Sequence, residues 1–280
     1  MAALRGVNIA DALDSALVAL TAAHVDSPRL DAELLLARAL ELDRAQLVMH
    51  PERELPPAVA RTFRDFVRRR AIEREPLAYV TGRKAFRHIE LDVDPRVLIP
   101  RPETELLVEV GLTLPAGTHV HDLGTGSGAI ALALKQERPD LVVSGSDASR
   151  DAVAVAAANG RRLGLAVDFE ISNWALPVGV RAALCNPPYV ADGDRAMLAP
   201  ELRHEPAEAL FAGDDGLDAI RAITSAKRGW PPQGPFLLAL EVGAGQARTV
   251  EALLRGAGLE QIAVKHDLAG IERVVIGWRS

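Results

Sequence analysis

The feature that most constrains this chain is a glycine-rich break between a strand and a helix. Asp122-Leu123-Gly124-Thr125-Gly126-Ser127-Gly128 follows Val120 and opens into Ala129-Ile130-Ala131-Leu132-Ala133-Leu134. The pattern reads as strand, turn, helix. Glycine reaches positive φ and lets the backbone approach a ligand closely. The helix start that follows favours a carboxylate or phosphate. A second strand, Leu141 to Ser146, ends at Asp147, an acid placed to accept both hydroxyls of a ribose. Further strands are expected at Phe236 to Leu240, ending at Glu241, and at Glu272 to Trp278. Strands alternating with helices put the chain in the α/β class with a mostly parallel sheet.

The loop alone leaves its ligand open, because Gly124-x-Gly126-x-x-Ala129 also fits a dinucleotide fingerprint. Two features favour S-adenosylmethionine over a nicotinamide. Asp122 precedes the first glycine, where an acid suits a sulfonium or α-amino group. Downstream, the apolar run Ala182-Ala183-Leu184-Cys185, read as a buried strand, ends in Asn186-Pro187-Pro188-Tyr189. Two prolines fix φ at about −65° and remove two backbone donors. Carbonyls in such a turn lack local N–H partners, and the Asn186 side chain adds another acceptor beside the aromatic face of Tyr189. An amide or aromatic NH₂, with two donors and a flat face, fits that arrangement. Asn186, Pro187 and Tyr189 are therefore the candidate catalytic residues, and Asn186 to Tyr189 the candidate substrate clamp. Gly124, Thr125, Gly126, Ser127, Gly128, Asp122 and Asp147 are the candidate cofactor residues.

Residues 1–75 read as a helical domain. Asn8 caps a helix carrying Ile9, Leu13, Leu17 and Leu20; Ser27-Pro28 starts a second, with Leu30, Leu34, Leu35 and Leu40 as its stripe. After Pro56-Pro57 a third helix turns Phe63, Phe66, Val67 and Ala71 inward and carries Arg61, Arg64, Arg68, Arg69, Arg70 and Arg74. A solvated face is the default reading of that arginine run, and a docking face through Arg64, Arg68 and Arg69 the sharper one. Residues 76–100 read as a β-hairpin connector, strand-like from Tyr79 with Ile89, Leu91 and Val93 alternating. The methyltransferase domain then spans 101–280.

Several classes are excluded. No apolar run is long enough to cross a membrane. No basic-then-apolar leader opens the chain, and the single Cys185 supports neither a disulfide nor a metal cluster, which fits the cytoplasm. The histidines form no metal-spacing motif, so no metal is expected. A net charge of −6 argues against stable nucleic-acid binding.

Over nearly its whole length the chain resembles the peptide-chain release factor glutamine methyltransferases. The resemblance rests on Ser27-Pro28-Arg29-Leu30-Asp31-Ala32-Glu33-Leu34-Leu35, Tyr79-Val80-Thr81-Gly82, and Val97-Leu98-Ile99-Pro100-Arg101-Pro102-Glu103-Thr104-Glu105. It continues through the glycine loop, Asn186 to Val190, Glu205-Pro206, Ala209-Leu210-Phe211, Gly213, Asp215-Gly216-Leu217, Glu241-Val242-Gly243 and Gln246. It implies a Rossmann-like S-adenosylmethionine-dependent domain behind a small helical domain. The implied substrate is the glutamine of the Gly-Gly-Gln motif in class-1 release factors; separately, a monomer is expected. It implies that Gly124 to Gly128, Asp147, Trp174 and Asn186 line the cofactor site and that Asn186 to Tyr189 hold the glutamine. Two positions depart from the family pattern: Arg87-His88 stand where an aromatic commonly follows Phe86, and Asn173 stands where an acid often precedes Trp174. The alternative is an amino-methyltransferase acting on an adenine or guanine base, which would call for a recognition domain or a broad basic stripe.

Overall fold

The structure, a computed structural model, describes residues 7–280; the reading of the extreme amino terminus falls on residues outside these. The chain divides into two compact units. One runs to Gly82 and is completed by Pro200–His204; the other holds Arg83–Ala199 and Glu205–Ser280.

The first unit is helical: α1 (Ile9–Ala22), α2 (Pro28–Leu40), α3 (Arg44–Met49), α4 (Pro57–Ala71) and α5 (Leu77–Thr81). Asn8 caps α1 by accepting from the Asp11 amide at 2.8 Å. Ser27 makes no such side-chain bond; the fixed φ of Pro28 suits the first turn of α2 instead. The buried face of α2 is Ala32, Leu35 and Leu36, with Leu30 exposed, so the expected stripe is shifted round the helix. These residues pack with Ile9, Leu13, Leu20 and Phe63 in one apolar core.

The arginine run of α4 is not one solvated face. Arg70 is buried and pairs with Asp31 at 2.8 Å and Glu201 at 2.8 Å. Arg69 pairs with Glu75 at 2.7 Å, and Arg68 with Asp65 at 2.9 Å. Arg74, expected on the same helix, lies beyond its end with φ +57° and pairs with Glu201 at 2.5 Å. Arg61 and Arg64 remain exposed. Removing one partner of a buried pair costs about 3–5 kcal/mol, so Arg70 belongs to the unit's integrity. Tyr79, expected at the start of a strand, lies in α5, which Gly82 ends at φ +72°.

The second unit opens with an antiparallel hairpin, β1 (Arg83–Phe86) and β2 (Ile89–Asp92). Then come α6 (Glu105–Leu112), β3 (His119–Leu123), α7 (Ala129–Glu137), β4 (Val142–Asp147), α8 (Arg150–Leu163), β5 (Asp168–Ile171) and β6 (Ala182–Cys185). The chain closes with α9 (Asp218–Ala226), β7 (Phe236–Glu241), α10 (Ala247–Gly256), β8 (Gln261–His266) and β9 (Glu272–Arg279). The seven-stranded sheet has the order β5-β4-β3-β6-β7-β9-β8. The first five strands in that order are parallel; β9 runs antiparallel to both β7 and β8. The mostly parallel expectation therefore holds for the strands that carry the motifs, and the last pair forms a hairpin at one edge.

Alternation along β6 loads both faces of the sheet. Ala183 and Cys185 join Ile220, Ile223, Val250 and Leu254 under α9 and α10. Leu184 points the other way, toward α6. There a Cβ on Gly111 would fall 2.9 Å from Leu134 and 3.3 Å from Leu184, so only glycine lets α6 lie this close to α7 and β6. His121, on β3, is fully buried and bonded to Ser144 and Ser146 at 2.8 Å each; burial pushes its pKa to about 4, and it holds β4 as a neutral ring. Successive strands run outward from β3 to β5 on one side, and from β6 to β7 on the other. The order reverses between β3 and β6, where open α/β sheets leave a crevice at the strand carboxyl ends.

Candidate active site

The glycine loop leaves the carboxyl end of β3 in this crevice. Gly124, Gly126 and Gly128 have φ of +70°, +53° and +85°, the left-handed region that favours glycine. Gly128 has a second constraint, since a Cβ there would meet Leu132 at 2.8 Å. Around Gly126 no atom lies within 4 Å of a built Cβ, so a ligand can approach bare backbone.

Two carboxylates hold the loop. Asp147, at the end of β4, accepts from the Gly126 amide at 2.9 Å and from the Ser149 amide at 2.9 Å. Asp122 is buried beneath the turn; its Oδ2 accepts from the Thr125 hydroxyl at 2.6 Å and the Ala131 amide at 3.3 Å. Its Oδ1 is buried without a partner. Burial pushes the Asp122 pKa up to about 7, against the pull of those two donors. Ser127 is likewise buried, and its carbonyl accepts from Asn159 Nδ2 at 3.0 Å. Asn159 also exchanges bonds with the Asp92 backbone, at 2.8 and 3.0 Å, and so ties the hairpin to the loop.

Trp174 has φ +57° and turns its ring over Gly124, 3.3 Å from where a Cβ would sit. Gly124, Gly126, Asp147, Trp174, Asn186 and Pro188 line one cleft. Of the sequence-derived candidates these six come together directly; Thr125, Ser127 and Gly128 shape the loop from beneath or behind. Sequence reasoning missed Ser149 and Ala152 at the start of α8, and Pro206, Glu208 and Ala209, which line the same cleft. The first two follow Asp147 closely, as a helix start after an acid. The others come from a loop that carries no periodic signal.

The donor set fits S-adenosylmethionine. Asp147 keeps free lone pairs for ribose hydroxyls, the start of α7 and its glycines offer backbone to an anionic end, and Asp122 keeps an unpartnered oxygen for a cationic one. A larger cavity, about 500 Å³, lies at the opposite ends of β6 and β7 near Phe236 and Trp278. It contains none of these groups.

The Asn186 side chain is oriented by a chain of bonds. Its Nδ2 donates to Thr104 Oγ1 at 3.0 Å, and Thr104 donates to Glu241 Oε2 at 2.7 Å. Tyr189 donates to the other Glu241 oxygen at 3.1 Å. Glu241 is buried at the end of β7, and burial pushes its pKa up to about 7 against the donors that stabilise its charge. Burial and the neighbouring Glu241 push the Tyr189 phenol well above its ordinary range, so it stays a donor.

The backbone of the turn is held as well. Gln246 donates to the Tyr189 carbonyl at 3.0 Å and accepts from the Gly243 amide at 2.8 Å. Val190 pairs with the segment around Phe211 through bonds to Leu210 and Ala212 at 2.9 and 3.0 Å. Gly216 passes so close that a Cβ would lie 2.2 Å from the Tyr189 carbonyl oxygen. Glu205 accepts from the Ile99 amide at 2.9 Å and pairs with Arg101, fixing the entry to the Arg-Pro-Glu-Thr-Glu segment. Arg87, at the hairpin turn with φ +48°, pairs with Glu137 on α7, which gives this position a role of its own in place of an aromatic. Cys185 is buried with its thiol pushed well up by burial, an inert core residue. No cluster of metal-ligating side chains exists among the described residues.

With this geometry in view, comparison with known proteins is specific. Residues 11–82 match the family model described as PrmC N-terminal domain, and residues 86–215 the methyltransferase small domain. A release factor glutamine methyltransferase of Coxiella burnetii is 42% identical over 260 residues, covering 90% of this chain and 92% of that protein. One from Cereibacter sphaeroides is 44% identical over 275 residues, covering 95% and 96%. Among solved structures, the hMettl16 catalytic domain in complex with an RNA hairpin aligns over 78% of this chain and 81% of its own, with TM-score 0.53 and 13% identity, a likeness of fold alone.

Proposed function

The chain belongs to the release factor glutamine methyltransferase family, and from that premise we propose that it methylates the side-chain amide nitrogen of the Gly-Gly-Gln glutamine in class-1 release factors. The cofactor would be S-adenosylmethionine, bound between the glycine loop and Asp147, with the buried Asp122 beneath the loop. Of the proposed docking charges Arg64, Arg68 and Arg69 on the helical unit, Arg68 and Arg69 are already paired with acids, and the enzyme would act as a cytoplasmic monomer. No helix of the described residues is long and apolar enough to cross a membrane.

One observation carries the reading. Asn186 spends its Nδ2 on Thr104, which leaves Oδ1 as an acceptor in a cleft shared with Gly124, Gly126 and Asp147. A glutamine amide offers two N–H donors and a nitrogen whose lone pair is delocalised into its carbonyl. The cofactor, when bound, supplies a methyl carbon activated by a sulfonium. A nitrogen accepting that methyl group, with a neutral thioether as the leaving group, would gain positive charge, and its protons would become acidic. Asn186 Oδ1 and the Pro187 carbonyl accept those protons more strongly at that point than before, which is where an interaction accelerates a reaction. One proton then leaves to solvent. The rigid Pro187-Pro188 pair and the Tyr189 ring hold the amide plane in line.

The test is transfer of a radiolabelled methyl group to purified class-1 release factor, to its Gln→Ala loop variant and to total RNA. Label is expected in the first alone. Label in RNA and none in release factor would replace this reading with the nucleobase one.

A further inference from the structure

The turn Asn186-Pro187-Pro188-Tyr189 does not by itself decide which end of the Asn186 amide faces the cleft. A side-chain amide is nearly symmetric in shape, and a half-turn about its last bond exchanges oxygen for NH₂. Presented with an NH₂ substrate, one orientation attracts and the other repels. The choice is made two residues away from the reacting atoms.

We propose that Thr104 and Glu241 are positioning residues that fix the polarity of the Asn186 amide. The argument is a donor count. Thr104 Oγ1 has one proton, and it goes to Glu241 Oε2 at 2.7 Å. The oxygen then has only lone pairs left, so it can face Asn186 solely as an acceptor. It takes Nδ2 at 3.0 Å, and Oδ1 is turned to the cleft. The second Glu241 oxygen is held by the Tyr189 hydroxyl at 3.1 Å, so one buried carboxylate sets both side chains of the substrate clamp. Thr104 is 3% exposed and Glu241 1%, which keeps water from substituting for either bond.

The rest of the surroundings supports a carboxylate that works ionised while lying near its titration point. Burial pushes its pKa up to about 7, with Glu103 adding to the rise. Thr104, Tyr189 and Arg273 oppose it, and the buried Cys185 thiol feels its charge. A proton on Oε2 would make Glu241 the donor to Thr104. The threonine proton would then be free to turn to Asn186 and draw Oδ1 inward. The sign follows: the productive orientation is present above the Glu241 pKa and is lost as pH falls through it.

This inference rests on the proposed glutamine methylation, and the experiment separates the two. Thr104→Val removes the hydroxyl at nearly constant shape; Thr104→Ser restores it. In single-turnover methylation of release factor, Thr104→Val is expected to lose about 10- to 100-fold in rate with KM for release factor changed less than threefold, and Thr104→Ser to recover to within fivefold of wild type. The acid limb of the kcat profile near pH 7 should be absent in Glu241→Gln. A Thr104→Val rate within twofold of wild type, or an acid limb unchanged in Glu241→Gln, overturns the proposal. A second readout needs no substrate. The side-chain ¹⁵N–¹H₂ signals of Asn186, assigned by their loss in Asn186→Asp, should show one slowly exchanging proton in wild type and Thr104→Ser. That protection should vanish in Thr104→Val. Its persistence there sinks the positioning role even if the enzyme proves to methylate something else. Intact Asn186 signals beside an absence of release-factor methylation would sink only the substrate reading.

Discussion

The two halves of the cleft are built in opposite ways. On the cofactor side the bonds are short-range in sequence: Thr125 to Asp122 spans three residues and Gly126 to Asp147 twenty-one. On the substrate side Asn186 reaches Thr104 across 82 residues, Thr104 reaches Glu241 across 137, and Tyr189 reaches Glu241 across 52. One half is backbone conformation fixed by local glycines; the other is side-chain orientation fixed by the assembled sheet. The first should tolerate damage elsewhere in the fold, and the second should register it.

Four substitutions bear on that contrast. The largest effect is expected from Asn186→Ala, which removes an acceptor that strengthens as the reaction proceeds: single-turnover rate should fall about 10²–10³-fold while release-factor affinity is retained. A rate within threefold of wild type would reduce Asn186 to a turn residue. Next is Gly216→Ala, far from the reacting atoms in sequence. Its Cβ would strike the Tyr189 carbonyl at a φ of +72°, so backbone must move. A strain of about 1–3 kcal/mol is expected, read as a lower melting temperature together with a lower kcat; unchanged kcat would break the claim that the substrate half senses the scaffold.

On the cofactor side, Asp147→Ala should weaken S-adenosylmethionine binding about tenfold by titration calorimetry, an affinity change of about 1.4 kcal/mol. It frees two loop amides besides the ribose acceptor, so a loss confined to the loop, with Tyr189 and Glu241 signals unmoved, is the outcome that sharpens the comparison. At fixed neutral pH the least visible effect, because it needs a pH series to be read, is the pH dependence of stability through Asp122. Its pKa is raised from 3.8 to about 7 by burial, so the folded state holds a proton that the unfolded chain releases. The stabilisation is present below the unfolded value and is lost as pH rises to about 7. Asp122→Asn should flatten that slope in denaturant titrations. A slope unchanged in the variant would assign it to Glu241, whose pKa moves in the same direction.

This contrast also explains what could be read from the residues alone. Gly124, Gly126, Gly128, Asp147 and the helix start announce themselves because a turn, a positive φ and a cap are local demands on residue type. The Asn-Pro-Pro-Tyr turn is equally visible. Its orienting partners are not: Glu241 reads only as the end of a strand and Thr104 only as part of a family segment, since nothing in their own neighbourhoods asks for a hydroxyl or a carboxylate. Their chemistry exists only once β6 and β7 lie side by side and the Arg-Pro-Glu-Thr-Glu segment arrives beside them. The same limit explains Arg70. As one arginine in a run of several it looked solvated, and only its reach to Asp31 and Glu201 makes it a core residue. Tyr79 shows a different failure: the motif was right, but five helical residues between a proline and a glycine are too short for periodicity to separate from extended chain.

The segment Pro200–His204 has a consequence for how such a molecule can be cut or exchanged. It is threaded within the stretch of chain that forms the second unit, yet its Glu201 neutralises Arg70 and Arg74 in the first. The helical unit is therefore not a cassette with two ends. A fragment stopping at Gly82, or a chimera that borrows only the leading residues from a relative, would inherit two arginines and leave their shared counter-charge behind.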